Sequence, residues 1–223
     1  MAFHFSPKIV TDGLVFMMDA ANLRSYPGTG TTLTDMISNL SIPFAGNVNT
    51  PSFDSNDMGS IFFDNPSGAN GVYSHLQVLN MGDSIIGNAL SAMTLEVFFK
   101  PNGNGNDNGF LIRAGGGADQ RYGINFRRQT KTLNFSYYNQ NTSLFSSAAS
   151  TPADTITLNE WNQACCTIDA SGNVVMYANG IAAATGTINL SDLKTLNAGS
   201  DLGIGGTTGN NAQWLGGRIS VVK

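Results

Sequence analysis

Residues 92–100 alternate with period two: Met93, Leu95, Val97 and Phe99 fall on one side, and Thr94, Glu96, Phe98 and Lys100 on the other. Such a period is the geometry of a half-buried β-strand, because successive side chains of a strand point to opposite faces. The same kind of signal recurs along the chain. Residues 173–178 and 181–185 read as strands joined by Asn179-Gly180, and two residues that tolerate positive φ make a type I′ hairpin turn. Further strands are expected at residues 59–64, 72–79, 110–113, 122–128, 132–138, 143–147, 162–169, 202–205 and 218–222. Residues 14–18 are continuously apolar and read as a strand covered on both faces. Residues 101–109 read as a polar turn, residues 31–40 as room for one helical turn, and residues 190–196 as a short helix or loop. Long amphipathic helices, heptads and internal repeats are absent from the sequence. Many short strands with regular turns describe one all-β domain over residues 1–223, a two-sheet antiparallel jelly-roll sandwich that has to manage its sheet edges.

Length and composition agree with that reading. All-β sandwiches of roughly 200–250 residues are common as single domains, and this chain has 223. Charged residues make up 12% of it, about half the usual ~25%. Asn, Ser, Thr and 26 Gly supply the polarity instead, which suits a chain with many turns. The net charge is −4, and Arg121, Arg127 and Arg128 form only a scattered trio, so nucleic acid is not an expected partner. Cys165 and Cys166 are neighbours in a strand and point apart, so a bridge between them is not expected. The apolar stretches are too short to cross a bilayer and no secretory leader pattern opens the chain, so the expectation is synthesis in a cytoplasm without membrane insertion.

Ordered short motifs then add a resemblance. Gly13-Leu-Val-Phe-Met-Met-Asp-Ala-Ala-Asn22 and Ser25-Tyr-Pro-Gly28 open the chain. Ser60-Ile-Phe-Phe-Asp64, Thr94-Leu-Glu-Val-Phe-Phe-Lys-Pro101, Trp161-Asn-Gln-Ala164, Val175-Met-Tyr-Ala-Asn-Gly180, Gly203-Ile-Gly205 and Gly217-Arg-Ile219 follow. In this order they resemble the laminin-G-like jelly-roll domains of the concanavalin A-like lectin/glucanase superfamily, as found in virion structural proteins of tailed bacteriophages. Leu33 and Phe98 stand where that family usually has tryptophan, whereas Asp35 keeps the family's aspartate. Family members usually continue with one more strand beyond the position of Lys223, so either the sheet ends early or the chain is part of something longer. The resemblance implies a non-enzymatic virion protein, a capsid decoration or tail fibre component. Its partners would be other virion proteins, including copies of itself, or host surface glycan, and its location the virion.

Glucanase relatives place their carboxylates on one strand as E-x-D-x-E, and retaining glycosidases need two of them roughly 5–5.5 Å apart. Here Glu96 is followed at those positions by Phe98 and Lys100, and Glu160 is the only other glutamate. Asp54 and Asp57 read as a solvated turn. His4 and His75 are the only histidines and no nucleophile elbow is present. The expectation is therefore no catalytic residue and no enzyme. A free carbohydrate-binding module is the alternative and a divergent glycoside hydrolase the third reading. For a sugar, Tyr122, Tyr137, Tyr138 and Trp214 offer rings and Asn125 and Arg127 planar polar groups, although half of such rings are expected simply to pack. Residues 102–108, with Asp107, and Asp119 offer oxygen ligands for Ca2+, against the plainer reading of a polar turn.

Overall fold

The alternation at residues 92–100 becomes the first part of a 13-residue strand, β7 (Met93–Gly105), with Leu95, Val97 and Phe99 buried. The computed structural model describes residues 12–66, 73–79, 92–115, 121–196, 201–207 and 213–223. Sheet one runs in the order β14 (Ile181–Thr187), β13 (Asn173–Ala178), β12 (Asn162–Ile168), β7, β16 (Leu215–Val222), β5 (Ser60–Phe63) and β4 (Ser52–Asp54), and β1 (Met18–Asp19) also pairs with β16. Sheet two runs β11 (Leu144–Ser150), β10 (Thr132–Asn139), β9 (Tyr122–Arg127), β8 (Asn108–Ala114), β15 (Leu202–Ile204), β6 (Ser74–Val78), β3 (Ser41–Gly46) and β2 (Thr32–Thr34). Every strand pairing within the sheets is antiparallel. The core lies between the inner faces, where Phe63, Phe99, Phe135, Ile61, Ile124 and Ile219 are fully buried. This is the two-sheet sandwich that the period-two pattern requires.

The hairpin is where it is expected. Ala178 faces Ile181 across the turn, and Asn179 and Gly180 have φ of 52° and 79°. Positive φ at both central residues is what a type I′ turn needs. At the sandwich edge β14 approaches β11 so closely that a Cβ on Gly186 would lie 1.7 Å from the Ala148 carbonyl oxygen. Only glycine allows the two edges to meet there.

Three expectations are corrected. Residues 14–18 pair only from Met18 onward, because Asp35 rather than a neighbouring strand satisfies the Met17 N–H. Residues 31–40 hold β2 and a turn instead of a helical turn, because Leu33 is fully buried and pairs with Ile42 of β3. Residues 101–105 are not a turn. They continue β7, because β16 pairs with them at Pro101 and Gly105 and a tertiary ladder overrides the turn-forming composition. The short helix option at residues 190–196 is a single 3₁₀ turn, Leu190–Asp192, whose Ser191 N–H donates to the capping Asn189 side chain.

Candidate ligand-binding face

The inner and outer positions of sheet two follow from its register. In β9, Tyr122, Ile124 and Phe126 join the core; in β10, Leu133 and Phe135 do so with Tyr137 packed against them. Gly123, Asn125 and Arg127 of β9 therefore face outward, as do Asn134, Ser136 and Tyr138 of β10. Across the adjoining strands the outward set continues with Asn108, Phe110 and Arg113 of β8 and Phe145 of β11.

Side-chain amides and hydroxyls cross this face as a rail. The Asn125 Nδ2 donates to the Asn108 Oδ1, and the Ser147 hydroxyl donates to the Asn134 Oδ1. Asn125 is 1% exposed and its own Oδ1 has no donor. A buried acceptor without a partner is uncommon and costly. At one end of the rail Tyr138 and Phe145 meet edge to face with ring centroids 5.1 Å apart, and Phe145 is 54% exposed. The Lys194 ammonium sits 5.2 Å from the Tyr138 ring centroid. Beside it Asp192 accepts from Asn139 at 3.1 Å and from Asn141 at 2.7 Å, which fixes the loop that follows β10. At the other end Arg127 is exposed. Asn125 and Asn134 are themselves buried and brace the face, so what it offers a polyhydroxylated ring is the exposed Arg127 guanidinium for hydrogen bonds and the Phe145 ring for its apolar C–H side.

Of the residues expected to bind, Arg127 and Tyr138 thus share one face, whereas Asn125 points to that face but is 1% exposed. The others are corrected. Tyr122 is 4% exposed and points inward, where burial pushes its phenol up to about 12. Tyr137 points to the same inner side. Trp214 is 1% exposed, stacked on Tyr73 at 5.2 Å, with its indole N–H donating to the Thr207 carbonyl at 3.4 Å. Tyr122 and Trp214 offer no ring face to a surface ligand, and Tyr137 is half-buried against the core side of the sheet. Asp107 lies in the turn after β7 and its Oδ1 accepts from the Gln129 N–H at 2.8 Å, so it serves as a turn brace. Asp119 lies outside the described residues. Among the described residues there is no group of three or more His, Cys, Asp or Glu side chains placed to hold a metal, and no helix long and apolar enough to cross a membrane.

The carboxylates gather elsewhere. On the outer side of sheet one, Arg218 pairs with Asp54 at 2.7 Å and Asp57 at 3.0 Å, and Lys100 pairs with Asp57 at 2.9 Å. The Trp161 indole also donates to Asp57 at 3.0 Å. The hydrogen bond from Arg218 holds Asp54 below the usual carboxylate range, and that from Lys100 does the same for Asp57. Carboxylates kept ionised in this way are poor proton donors at neutral pH. The solvated turn expected at Asp54 and Asp57 is therefore an ion-pair cluster, formed across a sequence separation that no local pattern reveals. Glu96 pairs with Lys223 at 3.0 Å on the same sheet and accepts from Gln163.

His75 is buried on β6, neither ring nitrogen has a partner, and burial pushes it down to about 4. The native state therefore binds fewer protons than the unfolded chain between about pH 6.5 and 4, and stability falls as pH drops through that window. We expect the wild type to lose about 2 kcal/mol between pH 7.5 and 5 from this group alone, as an order of magnitude. Urea unfolding of wild type and His75→Phe at both pH values checks it: the variant should lack that part of the loss. An equal pH response in the two proteins would contradict it.

Comparison with known proteins fits this architecture. A laminin-G family model, described as the concanavalin A-like lectin/glucanases superfamily, matches residues 70–223. No curated protein matches the chain. Among solved structures, domain 4 of a GH43 extracellular arabinanase from Geobacillus stearothermophilus, in complex with arabinotriose, is 14% identical with a TM-score of 0.59, covering 93% of this chain and 89% of that one. A Trypanosoma rangeli sialidase is 15% identical with a TM-score of 0.63, covering 100% of this chain and 33% of that one. The binding domain of botulinum neurotoxin DC, in complex with rat synaptotagmin II, is 13% identical with a TM-score of 0.63, covering 96% and 48%. The chain thus spans less than half of the sialidase and neurotoxin chains. At these identities the likeness concerns the fold.

Proposed function

This chain belongs to the concanavalin A-like lectin/glucanases superfamily, and from that premise we propose that it is a non-catalytic recognition domain of a virion that holds glycan on the outer face of sheet two. The observation that carries the glycan reading is the outward ring pair of Tyr138 and the exposed Phe145, with exposed Arg127 on the same face. No carboxylate stands at an outward strand position of that sheet among the described residues. A surface of this kind can bind a sugar but lacks the paired acid groups of a glycosidase. The arabinanase domain solved with arabinotriose supports the reading, because this chain matches most of that domain's length. The virion setting is supported by the opening motif at residues 13–28 and the ordered motifs after it. Contacts with neighbouring subunits, including further copies of this chain, would use the remaining low-charge surface.

The test is a broad glycan array probed with wild type and Tyr138→Ala, together with proteomics of purified particles from a phage that encodes the chain. Wild type should bind a defined subset of glycans. Tyr138→Ala should weaken that binding at least about tenfold, from loss of one stacking platform, with an unchanged melting temperature. Silence across the array rejects the glycan reading, and absence from particles rejects the virion setting.

A further inference from the structure

The edge of a sheet exposes a row of unpaired N–H and C=O groups, and a protein that keeps an edge free protects it by shortness, charge or proline. Sheet one ends on β4 and β14, and sheet two on β2 and β11. β2 and β4 are protected: each has three residues, and β4 ends on Asp54, which is tied to Arg218. β11 and β14 have seven residues each, with no charge and no proline. β11 begins with the bulky Leu144 and Phe145, the latter set against Tyr138. β14, Ile181-Ala-Ala-Ala-Thr-Gly-Thr187, has nothing larger than threonine after its first residue. A second backbone can therefore approach β14 closely. It pairs with β13 alone, and β13 is uncharged as well.

Sheet two does not cover that edge. Gly186 lies across from Val174, a core residue, so a Cβ on Gly186 would point into the sandwich, and that is where the Ala148 carbonyl of β11 lies. β11 thus packs on the inner side of β14, while Ala182, Thr185 and Thr187 are exposed. One bulge, at Ala183, separates the pair Tyr177–Ala182 from the pair Met176–Ala184, and Ala184–Thr187 then keeps a regular register. Within that stretch Thr185 points out, and Ala184 and Gly186 point in. Opposed residues of an antiparallel pair share a face. A twofold axis through Thr185 therefore sets Thr185 opposite its own copy and Ala184 opposite Gly186 on either side. The outer pair is threonine with threonine, a favourable cross-strand pair. The inner pairs join the two smallest residues, which suits a place where β11 already leaves no room for a Cβ. No like charges meet, and so neutral an edge offers a charged foreign strand no complementary partner.

We infer that two copies of this chain associate through β14, antiparallel about a twofold axis at Thr185, so that sheet one runs on from one copy into the other. A contact of this kind uses the same patch on both copies and closes on itself. It leaves the exposed Phe145 of sheet two free. The inference gives the copy-to-copy contact of the reading above its place on the molecule, and it does not depend on glycan binding.

Sedimentation equilibrium of the intact chain, joined to cysteine cross-linking, is the test. Wild type should be a dimer that dissociates on dilution. Thr185→Lys sets two ammonium groups face to face and should weaken the dimer at least about tenfold, with the wild-type circular dichroism spectrum kept. Thr185→Val keeps the shape and should keep the dimer. Opposed Cα atoms of an antiparallel pair are about 4.5–5.5 Å apart, a separation that a disulfide spans. Thr185→Cys should therefore form a covalent dimer under mild oxidation. Wild type, whose cysteines are Cys165 and Cys166, should not, and neither should Ser146→Cys on β11. A wild type still monomeric at about 1 mM overturns the inference. So does a dimer that Thr185→Lys leaves intact, or one that cross-links through Ser146→Cys and not through Thr185→Cys. A monomer that binds glycan overturns this inference alone, whereas a β14 dimer silent on every glycan overturns only the glycan reading.

Discussion

Replacing Asp35 with alanine is expected to cost the fold about 3–5 kcal/mol, because two buried backbone N–H groups lose their acceptor at about 1–3 kcal/mol each. Asp35 is fully buried. One carboxylate oxygen accepts from the Met17 N–H at 2.6 Å, the other from the Ser38 N–H at 2.6 Å and from the Ser38 hydroxyl. Those contacts fasten the segment leading into β1, which serves sheet one, to the turn after β2, which serves sheet two. Each hydrogen bond to a charged acceptor contributes about 1.5–3 kcal/mol, and alanine would leave buried donors with no replacement. Asp35→Asn keeps the shape and one acceptor oxygen, so it should fall between wild type and Asp35→Ala. Urea unfolding of the three proteins measures this. A loss below about 1 kcal/mol for Asp35→Ala would mean that water or backbone rearrangement serves those donors equally well.

Trp214→Ala should destabilise by a similar amount, about 3–5 kcal/mol, as for other large aromatics deleted from an interior. The indole stacks on Tyr73, closes against Gly206, where a Cβ would lie 2.5 Å from the indole Cδ1, and reaches Thr207 through its N–H. Deleting it removes apolar contact and leaves a cavity that the close-packed surroundings cannot fill by collapse. Glycan affinity, measured at a temperature where the variant stays folded, should be unchanged. A variant of wild-type stability that loses binding would return Trp214 to the ligand site and contradict its place in the interior.

The sequence carried more about faces than about pairings. The alternation in β7 and the Asn179-Gly180 turn are local signals, and the structure keeps both. Parity within a strand also separates the site residues. Tyr122 has the parity of Ile124 and Phe126, whereas Asn125 and Arg127 have the opposite one, so the inward turn of Tyr122 was readable from period two. The inward turn of Tyr137 and the outward one of Tyr138 follow in the same way from Leu133 and Phe135.

Pairings distant in sequence were not readable. Residues 101–105 look like a turn because Pro, Asn and Gly dominate them. Their glycines instead permit close approach of β16: a Cβ on Gly105 would sit 2.4 Å from the Gly216 nitrogen. The Arg218 pairs with Asp54 and Asp57 join segments more than half the chain apart, and only the sheet order brings them together. The burial of Trp214 has the same origin, since it forms an isolated parallel bridge with Phe110, a residue distant in sequence.

A ligand held on the outer face of sheet two should perturb that face and leave sheet one untouched. A heteronuclear NMR titration of the isotope-labelled chain with its best-binding glycan tests it most directly. Shift changes are expected at the side-chain groups of Arg127 and Lys194 and at the backbone of Ser136, Tyr138 and Phe145, with sheet one silent. Changes confined to Glu96, Gln163 and Tyr177 on the opposite sheet would contradict it.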